Sequence, residues 1–174
     1  MLYVIVCLIN GEVKEFHHQL VEEVCHRFKV KRQRLQSHFT LKAPFECKDL
    51  SEIEKVTESF CLSHKASSFI MSGYNHFDDR VIYMDIKPSL DTIKNCEEYK
   101  NLLRTIPGIE WKKNESKKHK FHCTIVSKLT KDTYNDIWFY VNKFPYSFNC
   151  SFDNITIMRL DKEGWVVEKG YKLQ

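Results

Sequence analysis

His38-Phe39-Thr40-Leu41 and His122-Cys123-Thr124-Ile125 carry one pattern, His-x-Thr followed by an apolar residue, about 84 residues apart. Each lies in a stretch that reads as a strand, where residues i and i+2 point to the same face. The pattern sets an imidazole and a hydroxyl side by side. It turns Phe39 and Leu41, or Cys123 and Ile125, the other way into a core. Of the eight histidines, only these two are followed in this way. Two such pairs across one cleft would supply two acid/base groups and two hydroxyl donors, a sufficient kit for in-line attack on a phosphodiester without a metal.

Working outward, the apolar run 1–9 reads as a buried first strand, broken by Asn10-Gly11. Val13, Phe16, Leu20, Val21, Val24 and Phe28 recur every three or four residues and predict a helix over 12–28. His17, His18 and His26 fall on it as packing or surface residues. The first His-x-Thr strand is expected over 35–41, stopped near Ala43-Pro44. A helix follows over 50–62, then strands over 68–74 and 81–86 joined by a turn through Asp78-Asp79. Pro88 is expected to start a helix that Pro107-Gly108 ends. The second His-x-Thr strand is expected over 120–126 and a helix over 132–142. Strands over 147–152, 155–160 and 165–173 close the chain.

The 174 residues predict one domain spanning 1–174, long enough for a single sizeable core. A formal charge of +4 is compatible with a polyanionic partner without requiring one. The basic clusters read from the sequence are Lys112-Lys113 and Lys117-Lys118 with Lys120. The cysteine count is odd, seven, and Cys7, Cys123 and Cys150 sit in strand-like runs. Reduced thiols in a cytoplasmic protein are the simpler reading. There is no Cys-x-x-Cys, and Cys61-x-x-His64 lacks a second pair, so no metal is expected. The opening run is far short of the ~20 residues of a membrane span, and no membrane association is expected.

Beyond the tetrapeptides, Gln36-Ser37-His38-Phe39-Thr40-Leu41-Lys42-Ala43-Pro44-Phe45 resembles the first motif of the two-histidine (2H) phosphoesterase superfamily. Lys120-Phe121-His122-Cys123-Thr124-Ile125 resembles the second. The best match is its group of 2′-5′ RNA ligase-like proteins and cyclic phosphodiesterases. The resemblance implies a bilobal α+β fold in which two antiparallel sheets flank a central cleft with helices outside. It also implies that the two motifs lie on central strands of opposite lobes and face each other. The implied activity is hydrolysis of 2′,3′-cyclic phosphates at RNA ends or on nucleotides, or the making and breaking of 2′-5′ linkages. It would need no cofactor, and the chain is expected to act as a monomer.

In that frame His38 and His122 are the acid/base pair, and Thr40 and Thr124 hold the phosphate oxygens. Strand parity adds Gln36 and Lys42 to the face of His38, and Lys118 and Lys120 to that of His122, as candidate substrate ligands. Tyr74 and Phe77, near the end of a predicted strand, are candidates for stacking on a base. A non-catalytic RNA-binding module that retains the cleft is the alternative. An unrelated cytosolic α+β protein with coincidental motifs is a third reading. Binding alone does not require paired proton donors, which favours the enzyme.

Overall fold

A computed structural model describes residues 1–116 and 118–174. Lys117, read above as part of a basic cluster, lies outside the described residues. The elements run β1 (Leu2–Leu8), α1 (Glu12–Phe28), β2 (His38–Glu46), α2 (Ser51–Ser63), β3 (Ser67–Phe77) and β4 (Val81–Pro88). After them come α3 (Leu90–Arg104), a 3₁₀ turn (Lys113–Ser116), β5 (His122–Val126), α4 (Lys131–Val141), β6 (Ser147–Phe152), β7 (Asn154–Asp161) and β8 (Gly164–Lys172).

The strands form two antiparallel four-stranded sheets, ordered β2-β1-β7-β8 and β5-β4-β3-β6. This is the α+β architecture expected. The two His-x-Thr strands are edge strands of their sheets, however, rather than central ones. They become central to the molecule because β2 and β5 lie against each other. Phe39 on β2 meets Phe121 at a ring-centroid distance of 5.4 Å, and also packs on Phe69 of β3 and Phe152 of β6. The x positions of both motifs, Phe39 and Cys123, are 0 % and 1 % exposed. One continuous core therefore fixes where the two histidines emerge.

β1 is apolar throughout because both of its faces are covered. Tyr3, Ile5 and Cys7 enter the main core, while Val4 and Val6 join Met158 in a second cluster on the opposite face. Val6 pairs with Thr40 and Leu8 with His38. Directly opposed residues share a face, so the second cluster borders the first His-x-Thr pair.

Several boundaries differ from expectation, among them the end of β3 at Phe77 and the start of β5 at His122, and two have identifiable reasons. β2 starts at His38 and continues through Pro44 to Glu46. A proline lacks only the N–H, and an edge strand tolerates that loss. Pro88 belongs to the end of β4, paired with Phe69. The helix start falls to Ser89, whose hydroxyl accepts from the Thr92 N–H at 3.2 Å.

The larger correction concerns Lys42. Val6 pairs with Thr40 but Ile5 with Lys42, so Leu41 is an extra residue on β2. Such a bulge breaks the period-2 alternation, and Leu41 and Lys42 are both buried, at 2 % and 0 % exposed. Lys42 leaves the face of His38 and Thr40. Its Nζ donates to both oxygens of Glu115, at 3.0 and 3.1 Å, and lies 4.7 Å from the Trp111 ring centre.

Candidate active site

His38 opens β2 and His122 opens β5, and both imidazoles are half-buried. The two share a device that residue types do not reveal. His38 Nδ1 lies 2.7 Å from the Gln36 carbonyl oxygen, and His122 Nδ1 lies 2.8 Å from that of Lys120. A carbonyl only accepts, so Nδ1 carries the proton in each ring. Each Nε2 is then the atom free to take or give a proton, and each ring is held by the carbonyl two residues upstream.

The two sites lie in adjoining cavities. His38 and Thr40 line one of about 780 Å³, and His122 and Thr40 line one of about 480 Å³. Thr40 is the only described residue common to both linings. Thr40 thus borders the cavity of each imidazole.

Burial pushes the His38 imidazole down to about 4; the Gln36 carbonyl opposes this, and His122 and His17 add to it by charge. The His122 imidazole is also lowered, first by burial and further by the Lys120 ammonium, against the bond to the Lys120 carbonyl. Both rings are therefore biased to the neutral form in the free protein. His38 is held lower of the two.

Three of the expected substrate ligands share the cavity with His122: Lys118, Lys120 and Phe77. The Phe77 ring stands edge-on to His122 at 4.9 Å. Lys120 is also paired with Asp85 at 2.8 Å. The remaining three are not brought there. Lys42 is buried as described. Gln36 precedes β2, outside the strand alternation, and contributes its backbone carbonyl. The Tyr74 hydroxyl donates to the Phe144 carbonyl at 2.6 Å, and its ring packs on Tyr146, away from both cavities. Thr124 is half-buried and borders a smaller cavity of about 260 Å³ with His17. Its carbonyl accepts from His17 Nε2 at 2.8 Å, which pins α1 to β5.

A further set of residues was legible but unread. Lys29, Lys31, Arg32 and Arg34 form the densest basic run in the first half of the chain. With Lys128, all four line the cavity that holds His38. Among the described residues no group of three or more His, Cys, Asp or Glu side chains is placed to hold a metal ion. Among the same residues no helix is long and apolar enough to cross a membrane.

Comparison with known proteins gives the family and the fold. Residues 11–164 match the model of the 2′-5′ RNA ligase superfamily. No match was found among curated protein sequences. Among solved structures, TT0787 of Thermus thermophilus superposes with a TM-score of 0.70 at 13% identity, covering 99% of this chain and 98% of that one. LigT of Escherichia coli complexed with 3′-AMP gives 0.62 at 12% identity, over 99% and 96% of the two chains. Usb1 of Kluyveromyces marxianus gives 0.54 at 12% identity, over 99% and 98%. At these identities the likeness is one of fold.

Proposed function

The chain belongs to the 2′-5′ RNA ligase superfamily, and from that premise we propose a metal-independent phosphoesterase acting on RNA ends or nucleotides. It hydrolyses 2′,3′-cyclic phosphates, or makes and breaks 2′-5′ linkages, by paired-histidine acid/base catalysis. The observation that carries this reading is the matched pair of imidazoles. Each is oriented by a carbonyl two residues upstream, and they stand in two cavities that share Thr40.

The scissile phosphate sits at the Thr40 hydroxyl, which donates to a non-bridging oxygen where charge builds in the transition state. Thr124 is the second proposed donor. His38, held lower, is the base: Nε2 takes the proton from the attacking water. The water oxygen bonds to phosphorus as the bond to one ribose oxygen breaks, and His122 Nε2 delivers a proton to that oxygen. The ribose and base then lie in the cavity of His122, with Phe77 as a stacking surface and Lys118 at its rim. A volume of about 480 Å³ falls within the ~300–1,000 Å³ of small-ligand sites. The binding of 3′-AMP by the E. coli relative is in keeping with a ligand of this size.

Incubation with a 2′,3′-cyclic mononucleotide in the presence of a chelator tests the reading. Turnover is expected. Binding without turnover would favour a non-catalytic RNA-binding module, and metal-restored activity would overturn the mechanism.

The pH profile gives a sharper check. The base must be unprotonated, so kcat/KM falls as pH drops through the His38 value of about 4. The acid must be protonated, so kcat/KM falls again above the His122 value, which lies below 6.5. The bell for kcat/KM is therefore expected on the acid side of 6.5. The bell for kcat should lie higher, because a bound phosphate anion favours both imidazolium forms. A kcat/KM optimum above pH 7.5 would contradict these roles.

A further inference from the structure

The buried residues of α1 are Val13, Leu20, Val21 and Val24, all apolar, and His17, which is 6 % exposed. An apolar side chain would fill that fifth position at no polar cost, whereas an imidazole taken out of water must find a hydrogen-bond partner. The partner is the Thr124 carbonyl, which accepts from Nε2 at 2.8 Å. β5 is an edge strand, so the carbonyls on its outer side have no strand to pair with. Across that edge, α1 supplies a hydrogen bond that a neighbouring strand would otherwise give. It falls on the threonine of the second His-x-Thr pair.

We infer that His17 is a positioning residue for the reaction: by holding the Thr124 backbone from α1, it sets where the Thr124 hydroxyl points. The inference rests on the phosphoesterase reading and adds to it a residue outside both motifs. Threonine is β-branched and stiff at χ1, so its hydroxyl follows its backbone. Thr124 borders neither of the two larger cavities, so the reach of its hydroxyl to the phosphate is set by where β5 is held at this residue. A donor stabilises the transition state only if it meets the oxygen where charge develops. His17 also shares its cavity of about 260 Å³ with Gln36, whose carbonyl orients His38. It lies close enough to His38 for its charge to lower that imidazole. One side chain of α1 therefore stands behind both motifs.

A carbonyl only accepts, so Nε2 of His17 carries the proton. The role needs a donor at that one atom and none of the acid/base chemistry of an imidazole. Glutamine places its amide nitrogen about as far along the side chain as Nε2. Asparagine is shorter and stops before the carbonyl, and leucine has no donor. The series therefore separates the hydrogen bond from the filling of space.

The test measures kcat, KM and Tm on a 2′,3′-cyclic mononucleotide for His17→Leu, His17→Asn and His17→Gln, each in the parent and in Thr124→Val. In the parent, the Leu and Asn variants should lower kcat about tenfold, less than the ~10²–10³ for removing a transition-state donor outright. KM should stay within about twofold, because the hydroxyl acts in the transition state, and the Gln variant should restore kcat to within about twofold. In Thr124→Val, itself slower, none of the three should lower kcat further, since the hydroxyl they misplace is gone. Tm should fall by the same amount in both backgrounds, because the carbonyl is left unpaired in both. A purely structural His17 would change kcat alike in the two backgrounds. Where His17→Leu does not fold, His17→Asn carries the same comparison. An equal kcat loss in both backgrounds, no loss in the Leu and Asn variants, a loss that Gln does not relieve, or a raised KM at constant kcat would overturn the inference. So would a Thr124→Val variant as fast as the parent, which would remove Thr124 as a donor. A parent protein that turns over no cyclic mononucleotide would instead overturn the phosphoesterase reading beneath it.

Discussion

His38→Ala and His122→Ala are each expected to lower turnover of a 2′,3′-cyclic phosphate by a factor on the order of 10²–10⁴, the range for lost general acid/base catalysis. The two imidazoles serve one proton-transfer cycle, so the double variant should be little worse than either single one. The loss should appear in kcat, since each ring acts on a proton in flight more than on the resting ligand. Thr40→Val should cost less, because other donors remain around the phosphate. His26→Ala, on the exposed side of α1, serves as the control and should leave the rate unchanged. Full activity in either single variant, with an unaltered thermal midpoint, would remove that histidine from the chemistry.

The placement of the residues given these proposed roles was legible from the sequence to different depths. Strand alternation sent Phe39 and Cys123 into the core and put Thr40 on the cavity of His38, whereas Thr124 borders the smaller cavity of His17 rather than that of His122. Helix α1 was legible to its ends because six apolar residues recur at helical spacing and glycine precedes it. The meeting of the two pairs was not legible locally. It depends on two sheet edges abutting, a contact between residues far apart in sequence. The resemblance supplied it, although with the motif strands in central rather than edge positions.

What the sequence withheld was mostly backbone. The carbonyls of Gln36 and Lys120 orient the histidines, and any residue at those positions carries a carbonyl. The bulge at Leu41 leaves no mark in residue type, yet it moved Lys42 out of the site. The run from Lys29 to Arg34 is a different case. It was plainly visible, but a charge run acquires meaning only when the fold shows what it lines.

Lys42 is where the parity reading and the structure predict opposite results. As a phosphate ligand its loss would raise KM and leave stability alone. Buried at 0 % exposure against Glu115, it should do the reverse. Burial pushes the Lys42 ammonium down, and Glu115 holds it up by hydrogen bond and charge. Burial likewise raises the Glu115 carboxyl, but the Lys112 amide, the Lys42 ammonium and the Ala43 amide outweigh it, so the group stays below its usual range. Glu115→Gln removes the charge and keeps an acceptor for only one of the two amides, since the Ala43 N–H donates to Oε1 and the Lys112 N–H to Oε2. An uncompensated buried ammonium costs about 3–5 kcal/mol, or a fall in Tm of about 10 °C for a domain of this size. Lys42 would then sit further below its unfolded value. In the window between the two values the unfolded chain binds more protons, so stability rises with pH and the penalty shrinks in alkaline buffer. Lys42→Met/Glu115→Gln should recover the part of the loss that comes from the unpaired ammonium, because an apolar chain fills the space beside Trp111 and Phe45 without a charge to satisfy. KM for a cyclic mononucleotide should stay near that of the parent in all of these proteins. A raised KM with an unchanged Tm would return Lys42 to the site and refute the bulge as the reason for its departure.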